Sequence, residues 1–305
     1  MYVMKKLIVI LLVFVLVGCD VAIGITLTAD RQYFLASERT IDVHDSSTKM
    51  SVLSLNVRCI TPKDKRGRRW EDRASLLCDV LQEKTPSVIC MQENKKKQYL
   101  FFKKYLKEYD SVAAYRDNTQ LTECLPIFFR ADMYRLEASQ TFWLSDTPDV
   151  MSKTWDSAYY RICTFVVLQN KVGGERFVVA NTHLDYKSEE TKKKSIKLIY
   201  DRLANFNLPT ILAGDFNSKP DSDVIAFAKQ YFVDLGKGFS DENKGTFNNF
   251  NPTGKRRKID YIMQLNGGFI VDNYQVIDKM YDNRFPSDHF PIYVELKQKE
   301  AVAVM

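Results

Sequence analysis

From Met50 onward, apolar runs of strand length alternate with polar connections, and stretches with helical spacing interrupt them at only a few places. SVLSLNVRC (51–59) reads as a first strand. RRWEDRASLLCDVLQEKTP (68–86) brings Trp70, Ala74, Leu77, Val80 and Leu81 to helical spacing, and Pro86 stops it. SVICMQE (87–93) is apolar until Gln92 and Glu93, as expected of a strand covered on both faces. Further strands are predicted over 111–116, 124–130 and 135–145, with Pro126 arguing against a fully paired central place for the second. RICTFVVLQN (161–170) and ERFVVANTHLD (175–185) flank Gly173-Gly174 and read as a hairpin. A helix is predicted over 188–206, capped by Ser188 and favoured by Glu189 and Glu190, and a short one over 221–231. TILAGDFN (210–217), 257–265, 269–278 and 290–297 complete the strands. This order fits neither an eight-unit barrel nor a simple doubly wound sheet. It predicts an α/β protein with two mixed β-sheets packed face to face and helices outside. No Pro/Gly/Ser-rich linker divides 50–297, so one domain is expected, over 50–299.

The N-terminus follows a different pattern. Lys5 and Lys6 precede an apolar run from Leu7 to Val17, then Gly18 and Cys19. The run is short for a membrane span, and its layout is that of a secretory signal. Its ending resembles a bacterial lipoprotein signal, which would remove residues 1–18 and lipidate Cys19. Residues 19–49 then read as a tether or lead-in, and the protein as exported: membrane-anchored, periplasmic or extracellular. An uncleaved anchor, extended by Val21 to Leu27, is the other reading.

With 305 residues, 45% of them apolar, the chain can bury a large core, and its net charge of +6 is compatible with a phosphate-bearing substrate without arguing for one. Cys59, Cys78, Cys90, Cys124 and Cys163 form no Cys-x-x-Cys or Cys/His cluster and read mostly as small buried hydrophobes.

The chemistry lies where apolar runs end. Asn56, Glu93, His183, Asp215, Asn217, Asp260, Asp288 and His289 all occupy such positions, and they include two of the three histidines. Asp215 and Asn217, two apart, share a face and could orient a water and hold a phosphoryl oxygen; a strand followed by an Asx-type turn reads equally well. Asp288 and His289 stand between Pro286 and Pro291, where the backbone is stiff. Glu93 offers the oxygen a hard cation prefers, and Asn56 could complete the polar floor. Asp260, if buried, needs a partner, and a histidine is the natural one. Together these residues suit a divalent cation that helps water attack phosphorus.

SLNVR, ICMQE, NTHLD, LAGDFN, TFNNF through RKIDYI, and SDHFP occur in one order across 50–297. In that order they resemble the endonuclease/exonuclease/phosphatase (DNase I-like) superfamily, and 141–165 resembles a bacterial branch of it. The resemblance implies a four-layer α/β sandwich and one Mg²⁺, or Mn²⁺, on Glu93, with Asn56 beside it and Asp288 near the metal. It further implies that Asp215 and Asn217 activate water and steady the phosphate, and that His289 faces phosphate and pairs with Asp260. His183 would be a second histidine supported by Glu123, and Arg161 would reach the phosphate. Arg58 departs from the abasic-site enzymes, which carry an acid at that place, and this counts against DNA repair.

The implied reaction is direct water attack on a phosphoester, leaning toward a nuclease-like phosphodiester. The alternatives are a phosphomonoesterase or phospholipase-type hydrolase acting on inositol phosphates, sphingomyelin or phospholipid headgroups, and an anion-binding surface protein with an inactive site. A monomer is expected. Basic runs at 62–69, 94–97, 103–107, 192–194 and 254–258 could hold a nucleic-acid backbone, an inositol polyphosphate or a lipid headgroup, or could be solvated surface. Trp143, Trp155, Tyr159 and Tyr160 could form an aromatic rim.

Overall fold

Two six-stranded sheets share one internal plan. The computed structural model describes residues 38–43 and 49–299, so the expected export signal and Cys19 lie outside the described residues. The first half of the fold comprises β1 (Met50–Asn56), α1 (Trp70–Lys84), β2 (Val88–Gln92), α2 (Lys96–Tyr105), β3 (Tyr109–Val112) and β4 (Ile127–Arg130). Next come β5 (Tyr134–Trp143), β6 (Ile162–Asn170), β7 (Arg176–His183), α3 (Glu189–Ala204), β8 (Thr210–Asp215) and α4 (Asp223–Ala228). The chain closes with β9 (Val233–Asp234), β10 (Asp260–Leu265), β11 (Phe269–Val276) and β12 (Ile292–Gln298). The sheet orders are β11-β12-β1-β2-β4-β3 and β5-β6-β7-β8-β10-β9. In each, only the middle pair is parallel, β1 with β2 and β7 with β8. A parallel pair needs a crossover, and α1 and α3 supply the two.

Burial explains the continuous apolar runs. Val88 and Cys90 of β2 point into the core between the sheets, while Ile89 and Met91 pack beneath α1 and α2. In β7, Phe177 and Val179 face the first sheet, whereas Val178 and Ala180 meet α3 and α4. Strands covered on both faces cannot alternate apolar with polar residues, so the sequence shows unbroken runs. The result is the expected four-layer sandwich. Ser188 caps α3 by accepting a bond from Thr191 N at 3.2 Å.

Four local expectations are revised. The basic run at 94–97 leads into α2, whose Phe101 and Phe102 are buried edge-on against Trp70. Pro126 does not force β4 to an edge: it precedes the strand, and β4 lies inside the sheet between β2 and β3. The strand expected over 111–116 starts earlier and ends at Val112. Finally, residues 38–43, expected within a tether, lie on the helical layer. Ile41 is buried there and donates its N–H to Tyr105 O at 2.9 Å. Among the described residues no helix is long and apolar enough to cross a membrane, and Cys59, Cys78, Cys90, Cys124 and Cys163 are free thiols.

One polar bridge crosses the core between the sheets. Gln92 Nε2 donates to Asn181 Oδ1 at 2.8 Å, and Asn181 Nδ2 donates to Met91 O and Pro126 O at 2.8 and 3.0 Å. Left unpaired, such buried amides would each cost a few kcal/mol, about 1–3 by mutational measures. Paired, they fix one sheet's register on the other, immediately beneath Glu93 and His183.

Candidate active site

Both parallel pairs end at the same rim. Asn56 lies opposite Gln92 in the first sheet, with Glu93 next, and His183 lies opposite Asp215 in the second. Asn56 Nδ2 joins the halves, donating to Glu93 Oε1 at 3.1 Å and Asp215 Oδ2 at 3.2 Å. Gly214 permits the β7–β8 approach: a Cβ there would sit 2.0 Å from Thr182 O, at a φ of 153°. Three residues around the floor, Arg58, Glu93 and Asn217, hold left-handed φ values of 57°, 63° and 47°, which bulky residues adopt only under constraint.

Asp215 is central. Its Oδ2 lies 3.6 Å from His183 Nε2 and 3.8 Å from His289 Nε2, and its Oδ1 accepts the Asn217 N–H at 2.8 Å. That last bond is the Asx-type turn, so the turn itself orients the acid, while Asn217 Nδ2 holds Leu184 O at 3.0 Å. Burial, with Asp260 and Glu93 nearby, pushes Asp215 up to about 7 against the opposing pull of His289. His289 Nδ1 bonds Asp260 Oδ2 at 2.9 Å, as expected. Burial opposes its charge, but Asp260, Asp215 and Asp288 outweigh this and raise it to about 10. His183 goes the other way. Burial, then Arg161 and Arg116, hold it well below the usual range, and among the described residues its buried Nδ1 has no hydrogen-bond partner.

Glu93 accepts Cys59 N–H at 2.9 Å as well as Asn56. Burial alone would raise its pKa, yet the Cys59 N–H, His289, Asn56 and Arg58 keep it below the ordinary carboxylate value. Asn56 Oδ1 accepts Arg58 N–H at 3.0 Å, so this amide positions two acids rather than presenting a free oxygen. Asp288 lies 3.3 Å from Arg58 Nη1, and Arg58 also binds Asp64 at 3.0 Å. Glu123 pairs with Arg116 at 2.8 Å; among the described residues it makes no bond to His183, contrary to the expected support. Arg161 is buried, stacked over Tyr159 at 5.5 Å and 3.7 Å from Asp185, and its Nε has no hydrogen-bond partner. A buried guanidinium so weakly paired is costly unless an anionic ligand completes it. Glu93, Arg161, His183, Asp215, Asp288 and His289 line one cleft of about 470 Å³.

Sequence reading missed four contributors. Arg116 also stacks on Tyr159, with its Cζ 4.9 Å from the ring centre. Lys192, read as part of a basic run, is buried and donates to Asn217 O at 3.0 Å. Arg73 is fully buried and binds the carbonyls of Val57, Pro286, Arg58 and Arg68 at 2.7–3.0 Å, tying the Asn56 and Asp288 loops to α1. Asn181 is the fourth, and a lone amide inside FVVANTH was its one sequence signal. Of the expected aromatic rim, Tyr159 reaches the cleft; Trp143 Nε1 instead braces Arg116 O at 2.8 Å.

Asp215, Asp260 and His289 are buried and can offer ligand atoms within 4.8 Å of one another, a set suited to a divalent metal ion. Together with the sandwich, this cluster defines a metal-dependent phosphoester hydrolase. The chain belongs to the Endonuclease/Exonuclease/phosphatase family, whose model matches residues 53–289. It is similar to a mannosyl-6-phosphatase of Bacteroides thetaiotaomicron VPI-5482, with 31% identity and a TM-score of 0.75 over 81% of this chain and 99% of that one. It also resembles an uncharacterized protein of Acanthamoeba polyphaga mimivirus, 26% identical over 80% of this chain and 99% of the relative. The CCR4-Not complex 3'-5'-exoribonuclease subunit Ccr4 of Aspergillus niger is 22% identical over 88% of this chain, which spans only 55% of that protein.

Proposed function

We propose that this protein hydrolyses a phosphoester by one in-line displacement, with water as nucleophile and no phosphorylated protein intermediate. The observation that supports this most is Asp215, raised to about 7 between a charged and a neutral imidazole. A carboxylate near neutrality can take a proton from water at working pH and release it again. The Asn217 N–H aims it. His289, charged through Asp260, directs its Nε2–H toward a phosphoryl oxygen, and Arg161 completes the anion site from the His183 side.

The acids Glu93, Asp215, Asp260 and Asp288 outnumber the cations Arg58 and His289 that contact them, so a further positive charge fits. With His289 charged and its Nδ1 committed to Asp260, the cluster of Asp215, Asp260 and His289 is left with carboxylate oxygens to offer a cation, and we assign the metal to that oxygen side, on Glu93, with Asp288 and Asn56 flanking it. Mg²⁺ or Mn²⁺ bound there would offset charge developing on the phosphoryl oxygens.

The reading leans to a nuclease-like phosphodiester, supported by the His183–Arg161 pair and by the activity named for the Ccr4 relatives. A monoester reading has support of its own. The matched-length relative is named a mannosyl-6-phosphatase, and Arg116 with Arg161 brings two guanidiniums to one side of the cleft. The complete set of acids and imidazoles weighs against an inactive anion-binding protein.

We also propose that the chain belongs to a bacterial exported branch and works as a monomer held to a membrane through Cys19, on the strength of the charged, apolar and Gly18-Cys19 sequence at its start. Loss of the membrane-bound fraction in Cys19→Ser would support the anchor, and unchanged fractionation would remove it.

The enzymatic test is a panel with and without Mg²⁺: bis(p-nitrophenyl) phosphate, p-nitrophenyl phosphate, DNA, RNA, sugar phosphates, phosphoinositides and sphingomyelin. Hydrolysis that needs metal, and that needs far more of it in Glu93→Gln, is expected. Metal-independent hydrolysis, or none across the panel, overturns the reading.

A further inference from the structure

The structure separates the basic runs. Lys97 pairs with Glu71 at 2.7 Å, Lys104 with Glu38 at 2.8 Å and Arg69 with Asp72 at 3.2 Å, and Lys192 is buried under Asn217. The run 254–258 differs, because with Lys219 it lines a trough of about 570 Å³. We infer that this trough binds a second phosphate of the same substrate, the neighbouring link of a single-stranded polynucleotide. The inference rests on the diester reading of the cleft and deepens it.

Trough and cleft share one wall. Phe247, Asn249 and Arg257 line both cavities. Phe247 meets the His289 ring edge-on, 5.0 Å between centres, and the Arg257 guanidinium lies 4.7 Å from the centre of the Phe247 ring. A phosphate at His289 therefore has the trough one side chain away.

The charges in the trough are unevenly committed. Lys258 is neutralised by Asp234 at 2.9 Å and Arg256 by Asp278 at 3.0 Å. Among the described residues Lys219 and Lys255 form no ion pair, and Asp221 is the acid that shares their trough. Net positive charge in a concavity attracts a polyanion. Amides of Asn243, Asn249 and Asn251 line it too, and such groups serve phosphate and sugar oxygens without demanding a base sequence.

The trough is built onto the catalytic loop. Asn248 N donates to Asp288 O at 2.8 Å, and Asn248 Nδ2 donates to Ser287 O at 3.2 Å. Asn249 and Phe250 then turn the chain through left-handed φ values of 52° and 53°. The loop that walls the trough is thus fixed directly to the residues preceding His289. An open trough continuous with the cleft favours a repeating backbone over a compact headgroup.

The test uses the full chain carrying Asp215→Asn, which should bind without turnover, and a fluorescein-labelled hexathymidylate followed by anisotropy. Adding Lys219→Gln and Lys255→Gln should weaken binding about tenfold and make the dependence of log affinity on log salt shallower by about 1.4, two contacts at about 0.7 each for a single strand. Equal affinity and an equal slope would overturn the inference. Competition sets the class. Displacement by unlabelled hexathymidylate well below the concentration needed of thymidine 3',5'-bisphosphate or an inositol bisphosphate is expected. Equal or better displacement by either compact bisphosphate would overturn the polynucleotide assignment. Hydrolysis of bis(p-nitrophenyl) phosphate by the parent, a substrate with a single phosphate, is scored separately. Its absence would fall on the proposed reaction, whereas binding reports on the trough alone.

Discussion

His289 and His183 flank one carboxylate at nearly equal distances, 3.8 and 3.6 Å, yet they are held in opposite charge states. His289 has Asp260 behind it, and His183 has Arg161 and Arg116 for neighbours. The ring chemistry is identical, so the neighbours decide. One side of the cleft is an anion-binding imidazolium; on the other the ring is neutral, and the positive charge sits on the guanidiniums of Arg161 and Arg116. A phosphate between them meets cations from both directions, with Asp215 as the titrating acid in the middle.

The largest effect should come from breaking the centre. Asp215→Asn should lower metal-dependent turnover by about 100-fold or more, with the circular dichroism of the fold preserved. Near-parental turnover would remove Asp215 from its role.

Next, Asp260→Asn cuts the 2.9 Å bond to His289. Turnover should drop by about 10- to 100-fold, as for loss of a partner that orients a functional imidazole, and the His289 resonance, followed by NMR, should titrate well below about 10. A His289 titration unmoved by the change would mean that Asp260 does not hold the charge.

The same pair predicts a pH effect on stability. A histidine whose pKa rises from 6.5 to about 10 on folding stabilises fully below 6.5 and loses that contribution as pH climbs through 10. Asp215, raised from 3.8 to about 7, favours the protonated native form and produces its own decline between those values. Metal-free protein should therefore melt at lower temperature as pH rises from 6.5 to 10, and Asp260→Asn should flatten that slope. A flat parental profile would contradict the assignment.

Sharpening the other side is gentler. Arg161→Gln removes a cation beside His183, whose titration should move up toward 6.5 while turnover falls by about tenfold, the lower range for one hydrogen bond to a charged group. A His183 signal still silent across that range would leave burial alone responsible. The smallest effect belongs to Lys192→Met. It loses one bond to Asn217 O and should cost about 1 kcal/mol in denaturant unfolding, with turnover changed only a few-fold.

The strand-end residues were legible because both parallel pairs are buried on two faces. An apolar run that stops abruptly at Glu93, His183 or Asp215 marks the point where the chain leaves the core. The His289–Asp260 pair was legible too, since a buried acid needs a cation. Other features depended on stacking that no local pattern encodes. The Asn56–Asp215 bond spans 159 positions and exists only because two sheets meet in one register. Arg116 sits in a loop without periodicity, so neither its hold on Glu123 nor its place beside Tyr159 could be foreseen. Lysines hid α2, because KKQYLFFKKY shows its apolar face in only a few aromatic residues.

The position of β12 bears on when the activity first exists. This last strand, beginning just after His289, inserts between β11 and β1 and pairs along Met50–Ser54, at the other end of the sequence. Until it arrives, β1 keeps an open edge, and closing so long a loop is slow relative to local folding. A chain cut before Asp288 would still carry Glu93, His183 and Asp215 but would lack the imidazole that pairs with Asp260, so the site is complete only when the segment from Asp288 into β12 is in place.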